Sequence, residues 1–174
     1  MKFLFAFLTF FAVTSTFAAD GGKDVKVEEI RDFTRLASHS DEKRLPILLM
    51  FSAEHCTYCE RLEEDFLKPM LRSGEYEDKV LIRKIKIDGY GNIVDFDGKQ
   101  VSIDAFASRY HVYVTPTVAF LDSTGAQLAP KRVGLSTPDF YGGYLDQSIN
   151  TALDVLRRNK PLRVKLSALE PKSQ

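Results

Sequence analysis

The sequence predicts an α/β protein, with a mixed central sheet flanked by helices on both faces and an inserted β-hairpin. Three observations carry this. Residues 46–51 and 117–121 are apolar runs without polar alternation, as in strands buried on both faces. Stretches with apolar residues every three or four positions separate such runs, which is helical spacing. Asp97-Gly98 lies between two short β-prone runs, a strong hairpin signal.

In chain order, residues 25–37 place Val27, Ile30, Phe33 and Ala37 on one helical face, and 38–44 read as a charged loop. The strand at 46–51 leads directly into Cys56-Thr57-Tyr58-Cys59. A helix leaves this motif, with Leu62, Phe66 and Met70 repeating every four, and Pro69 should kink or end it. Residues 80–87 alternate imperfectly and predict a second strand. Residues 93–96 and 100–103 flank the hairpin turn, and 104–110 predict a short helix. The strand at 117–121 turns back through 122–125 into a partner strand at 127–133. Thr137 suits a helix cap with Pro138 at the first position. Leu145, Ile149, Leu153 and Leu156 form that helix's apolar stripe, and an interruption of the helix is expected at Gly142-Gly143. Arg157, Arg158 and Lys160 suit its negative end, and Pro161 should stop it. One domain is expected over 25–158, followed by a C-terminal tail at 159–174 with no internal repeat or linker.

Charge and composition narrow the function classes. The 174 residues carry 24 basic and 24 acidic side chains, so no basic excess points to nucleic acid. Two cysteines are too few for a disulfide-dense scaffold or a four-cysteine zinc site. Met1-Lys2, then residues 3–13 apolar but for Thr9, then small polar residues, match a secretory signal peptide. Cleavage after Ala18 puts Thr16 and Ala18 at the small-residue positions. An uncleaved anchor is the alternative, but the run falls short of the roughly 20 apolar residues a span needs. No later stretch is long and apolar enough to cross a bilayer, so stable membrane insertion is not expected. An exported protein is the resulting expectation.

Outside the cytosol disulfides persist. A bridge across two intervening residues adds little chain-entropy stabilisation, which favours chemistry over stapling as the role of Cys56 and Cys59. Cys56 at a helix N-terminus meets free N–H groups and the positive end of the dipole, which lower a thiol pKa. Cys59, one turn inside, is placed to attack a mixed disulfide at Cys56. As an imidazolium, His55 would lower the Cys56 pKa further, or else it is an exposed loop residue. Thr57 and Tyr58 either shape the substrate-facing surface or fill space. His39 and His111 read as structural or surface residues. Glu60, Arg61, Glu63, Glu64 and Asp65 read as a solvated helix face.

Residues 46–59, then Lys86-Ile87-Asp88, Val114-Thr115-Pro116-Thr117, Asp122-Ser123-Thr124-Gly125 and Gly134, together resemble the thioredoxin superfamily. The resemblance spans roughly 25–158. The hairpin and the Thr-Pro-Thr resemble the exported SoxW-like thioredoxin-related proteins of bacteria, a resemblance that implies a periplasmic location. It implies a thioredoxin fold with Cys56 as nucleophile and Cys59 as resolving thiol. It also implies a cis Thr115–Pro116 bond, beside which a substrate segment binds as an added strand. This chain departs from the typical pattern. Met50 stands where a buried Asp assists proton transfer from the resolving thiol, Ser52 where a Trp precedes the motif, and Thr57-Tyr58 where Gly-Pro is usual. Lys84 or Glu54 is left as the substitute proton shuttle, with neither singled out.

The expected function is an exported thiol–disulfide oxidoreductase. It would reduce disulfides in selected exported proteins, draw electrons from a membrane thiol donor, act as a monomer and need no cofactor. A Cu(I) carrier using Cys56, Cys59 and His55 is the alternative from a different class, since soft thiolates suit that ion. A redox-inert interaction module is a third.

Overall fold

A computed structural model describes residues 25–167, with side chains to residue 159; the signal-peptide reading at 1–18 lies outside the described residues. In chain order the elements are α1 Thr34–Lys43, β1 Ile47–Ser52, α2 Thr57–Leu62, a π-helical turn Glu63–Leu67, and α3 Lys68–Ser73. Then follow β2 Leu81–Lys86, β3 Asn92–Val94, β4 Gln100–Ser102, α4 Ile103–Arg109, β5 Thr117–Leu121, β6 Gln127–Val133 and α5 Pro138–Ser167.

The main sheet has the order β2-β1-β5-β6. β1 is parallel to β2 and antiparallel to β5, and β5 is antiparallel to β6. Every residue of β1 and β5 is buried, as continuous apolar runs require in a sheet covered on both faces. The pleat sorts the side chains. Ile47, Leu49, Phe51, Ala119 and Leu121 join Phe33, Phe106 and Tyr110 on one face. Leu48, Met50, Val118 and Phe120 join Cys59, Leu62, Tyr141 and Leu145 on the other. β3 and β4 form the expected separate hairpin.

Four expectations need correction. Residues 25–33 are not helical. Ile30 N–H donates to the Lys84 carbonyl and Lys84 N–H to the Glu28 carbonyl at the edge of β2, and Phe33 N–H donates to the Val94 carbonyl of β3. The helix starts at Thr34, whose N–H and hydroxyl both donate to Asp32, and it runs through the expected loop to Lys43. Pro69 does not end its helix. Proline offers no N–H to the Asp65 carbonyl, and the chain passes through a π turn in which Lys68 N–H reaches the Glu63 carbonyl. Gly142-Gly143 does not interrupt α5, which runs unbroken from Pro138. Nor does Pro161 stop it, since it continues to Ser167 inside the expected tail; residue 157, four positions before Pro161, is exposed, so its carbonyl can turn to water.

Candidate redox site

The fold brings three chain segments to the C-terminal end of β1. The loop after Ser52 carries His55, a non-glycine residue in the left-handed region at φ 51, and delivers Cys56 to the N-cap of α2. Cys56 is extended, and its sulfur accepts the Cys59 N–H at 3.2 Å. Cys59 is buried at 2% exposure, whereas Cys56 is half-buried. The two form a disulfide with a Cα–Cα distance of 5.2 Å.

The second segment is the turn before β5. Thr115–Pro116 is cis, and the Thr115 hydroxyl lies 3.6 Å from the Cys56 sulfur, to which it donates. Two bonds hold this turn: Thr117 hydroxyl to the Val114 carbonyl at 2.6 Å, and Gly134 N–H to the Pro116 carbonyl at 2.7 Å. The structure thus joins Cys56, Cys59, Thr115 and the cis proline at one place. Thr57 and Tyr58 stand on the exposed rim, Tyr58 at 61% exposure. His55 is exposed and makes no hydrogen bond or ion pair among the described residues.

The third segment follows β2. Asp88 accepts the Glu54 N–H at 2.7 Å, and the Glu54 carboxylate pairs with Lys86, holding that ammonium above its ordinary pKa. Beneath the disulfide, Met50 is fully buried opposite Lys84 in the β1–β2 register. The Lys84 ammonium reaches both Glu63 carboxylate oxygens at 2.8 Å, with the two side chains only 20% and 13% exposed. Glu63 is therefore not part of a solvated face, as its charged neighbours suggested. It lies one turn beyond Cys59, where its N–H donates to the Cys59 carbonyl. The signal available was Lys84 itself, in phase with inward-facing Val80 and Ile82, where a cation needs a partner. Glu54 and Lys84, the two substitute shuttles, thus belong to separate ion pairs.

Chemically, a sulfur that accepts an N–H at a helix N-cap is placed to carry negative charge once the bond is reduced. Among the described residues, no three His, Cys, Asp or Glu side chains converge to hold a metal ion.

A disulfide between strand and helix, beside a cis proline on a mixed sheet, defines a protein with a thiol–disulfide redox role. The chain belongs to the thioredoxin-like family, whose model, described as "Thioredoxin-like domain", matches residues 36–149. None of the curated proteins matches. Among solved structures, a thioredoxin from Nicotiana alata is similar at 22% identity and a TM-score of 0.45, over 72% of this chain and 97% of that one. A thioredoxin from Malassezia sympodialis is similar at 16% and 0.49, over 74% and 91%. A thioredoxin-fold protein from Helicobacter pylori is similar at 23% and 0.40, over 67% and 85%.

Proposed function

We propose that this protein is an exported, SoxW-like thiol–disulfide oxidoreductase that reduces disulfides in selected exported proteins. The carrying observation is the Cys56–Cys59 disulfide itself, with Cys56 at the helix N-cap, its sulfur touched by the Cys59 N–H and the Thr115 hydroxyl. In the reduced protein, the Cys56 thiolate attacks one sulfur of a partner disulfide and releases the other as a thiolate. Cys59 loses its proton and attacks the Cys56 sulfur, releasing the second partner thiolate. Two electrons pass to the partner, and the protein is left in the disulfide form. A membrane thiol donor then returns two electrons. The Thr115 backbone, next to the cis proline, receives the partner segment as an added strand, Thr57 and Tyr58 border it, and His55 favours the Cys56 thiolate when protonated.

Equilibration in glutathione buffers tests this reading. A reduction potential near about −270 mV is expected of a donor-fed reductant, whereas about −120 mV would make the protein an oxidant. Absence of any reversible dithiol couple would overturn the redox reading. N-terminal sequencing of the periplasmic fraction should begin at Ala19.

A further inference from the structure

Residues 53–55 connect β1 to Cys56, and Glu54 and His55 form a turn there. His55 stands in the left-handed region at φ 51. A Cβ makes that region unfavourable, so a residue other than glycine stays there only when its surroundings hold it. Cys56 comes next, extended, and caps α2. The nucleophile therefore reaches the helix N-terminus through a turn that its own sequence does not secure.

The end of β2 supplies what holds it. Ile87 N–H donates to the Ser52 carbonyl at 2.9 Å, which carries the β1–β2 ladder one step past β2. Inside the turn, Glu54 N–H donates to the Asp88 carboxylate at 2.7 Å. The Glu54 carboxylate pairs with the Lys86 ammonium. The last two links differ in weight. Glu54 is 60% exposed in its pair with Lys86, and an ion pair so open to water contributes little. Asp88 grips the backbone of the turn, through a charged acceptor that binds more strongly than a neutral one. Asp88 is itself exposed, so its truncation leaves no cavity.

We propose that Asp88 is a positioning residue for the redox reaction: its carboxylate latches the Glu54–His55 turn and so keeps Cys56 at the cap of α2, where a thiolate is stabilised. The proposal rests on the redox reading above. The same carboxylate has an opposite influence through space, since a negative charge near Cys56 disfavours the thiolate. Loss of the latch and loss of the charge thus push Cys56 in opposite directions. The other charged groups about the turn are Glu54 and Lys86, Glu29 at 3.7 Å from Lys86, and Glu60 in the first turn of α2. The exposed His55 and Arg31, whose guanidinium would lie 3.6 Å from a Cβ at Gly89, complete the set. All of these are untouched by substitution of Asp88.

The test uses the reduced full-length mature protein. Alkylation of Cys56 by iodoacetamide is followed across the pH range in which thiols ionise, with mass spectrometry separating it from the buried Cys59, and reduction of oxidised glutathione is measured alongside. Asp88→Ala removes both acceptor and charge. It should move the midpoint of the alkylation profile to higher pH and slow the reaction below that midpoint about fivefold, equivalent to about 1 kcal/mol, the worth of one hydrogen bond. Asp88→Asn removes the charge but keeps an oxygen for the Glu54 N–H. Its midpoint should stay at or below that of the wild type, with no loss of rate. His55→Gly supplies a second arm, because glycine enters the left-handed region freely. In a His55→Gly background Asp88→Ala should cost at most about twofold, and comparing the two backgrounds cancels the loss of the imidazole. An Asp88→Ala profile that is unchanged, or moved to lower pH, would overturn the latch. So would equal losses in Asp88→Ala and Asp88→Asn, or an equal cost of Asp88→Ala in both backgrounds. A wild-type Cys56 no more reactive than an ordinary thiol, in a protein that leaves oxidised glutathione unreduced, would instead overturn the redox reading.

Discussion

The two faces of the central sheet are built differently. The face under α1, α4 and the β3–β4 hairpin is an aromatic lattice: Phe33 lies 4.8 Å from Phe96 and 4.9 Å from Phe106, and Phe106 lies 5.2 Å from Tyr110. Its polar groups are paired. Tyr110 donates to the Gly125 carbonyl at 2.9 Å, and the buried Asp95 carboxylate binds Arg109, whose pKa it raises. The face under α2, α3 and the start of α5 holds Met50, Met70, Cys59 and leucines instead. There the helix widens into a π turn, a largely buried Lys84–Glu63 ion pair sits beside the apolar groups, and the Tyr141 hydroxyl is buried without a partner. The sulfur chemistry belongs to the second face. The contrast suggests a division of labour, in which one face supplies rigidity and the other accepts imperfect packing around a group that must react.

Substitutions on the two faces test this division. Phe106→Ala removes the ring at the centre of the lattice and should cost about 3–5 kcal/mol in urea unfolding. Oxidised-glutathione reduction per folded molecule should be unchanged. A comparable loss of rate would show that the faces are not separable. Glycine provides a second contrast. Gly125 sits at φ 80, and an added Cβ would come within 2.7 Å of Phe96 and 2.8 Å of the Tyr110 hydroxyl. Gly125→Ala should therefore cost about 1–3 kcal/mol, from strain and overpacking together. Gly143→Ala, with open space around it, should gain up to about 1 kcal/mol. Opposite signs in thermal melts would support the contrast, and equal signs would break it.

The ion pair under the disulfide gives the next effect. Glu63→Gln leaves the Lys84 ammonium, only 20% exposed, without its carboxylate. About 1–3 kcal/mol of stability should be lost. Glu63→Leu combined with Lys84→Met should recover most of it, because removing both charges leaves nothing unpaired. If the double variant is no better than the single one, the pair is not an isolated unit. The lifetime of a mixed disulfide at Cys56 in these variants reports whether the pair also serves thiol exchange.

Much of this was legible in the sequence. Buried strands announce themselves because no polar residue interrupts them, and β1 and β5 fall where 46–51 and 117–121 were expected. The cysteine site was legible because a strand, two cysteines and an amphipathic helix are contiguous in the chain. The cis bond at Thr115–Pro116 came through family resemblance, since most Xaa–Pro bonds are trans. What failed depended on neighbours distant in the chain. Val27, Ile30 and Phe33 fit helical spacing, but backbone bonds to distant strands hold this stretch out of a helix: Ile30 pairs with Lys84 of β2 and Phe33 with Val94 of β3. The second half of α1, residues 38–43, looked like a loop because only Ser40 is buried there, too little to show a stripe. Glu63 was hidden because its charged neighbours do face water. It shares their turn but faces the other side of the helix, and its partner Lys84 lies 21 residues away.

The smallest predicted effect concerns one tyrosine from each face. Burial pushes the phenols of Tyr110 and Tyr141 up to about 12. An unfolded tyrosine ionises near about 10. Below that value both states keep the proton, and pH does not matter. Between about 10 and 12 the unfolded phenol has lost its proton while the folded one retains it. The folded state then binds more protons, so stability falls as pH rises, by about 1.4 kcal/mol per pH unit for each residue. Removing either hydroxyl should reduce that slope by the same amount, so alkaline unfolding alone does not separate the faces. Neutral pH does. Tyr110→Phe gives up the bond to the Gly125 carbonyl and should cost about 1 kcal/mol. Tyr141→Phe gives up a hydroxyl with no partner and should be neutral or stabilising. A clear loss from Tyr141→Phe in urea melts at pH 7 would mean that its hydroxyl is satisfied in solution, and the supposed looseness of the sulfur-bearing face would lose its most direct support.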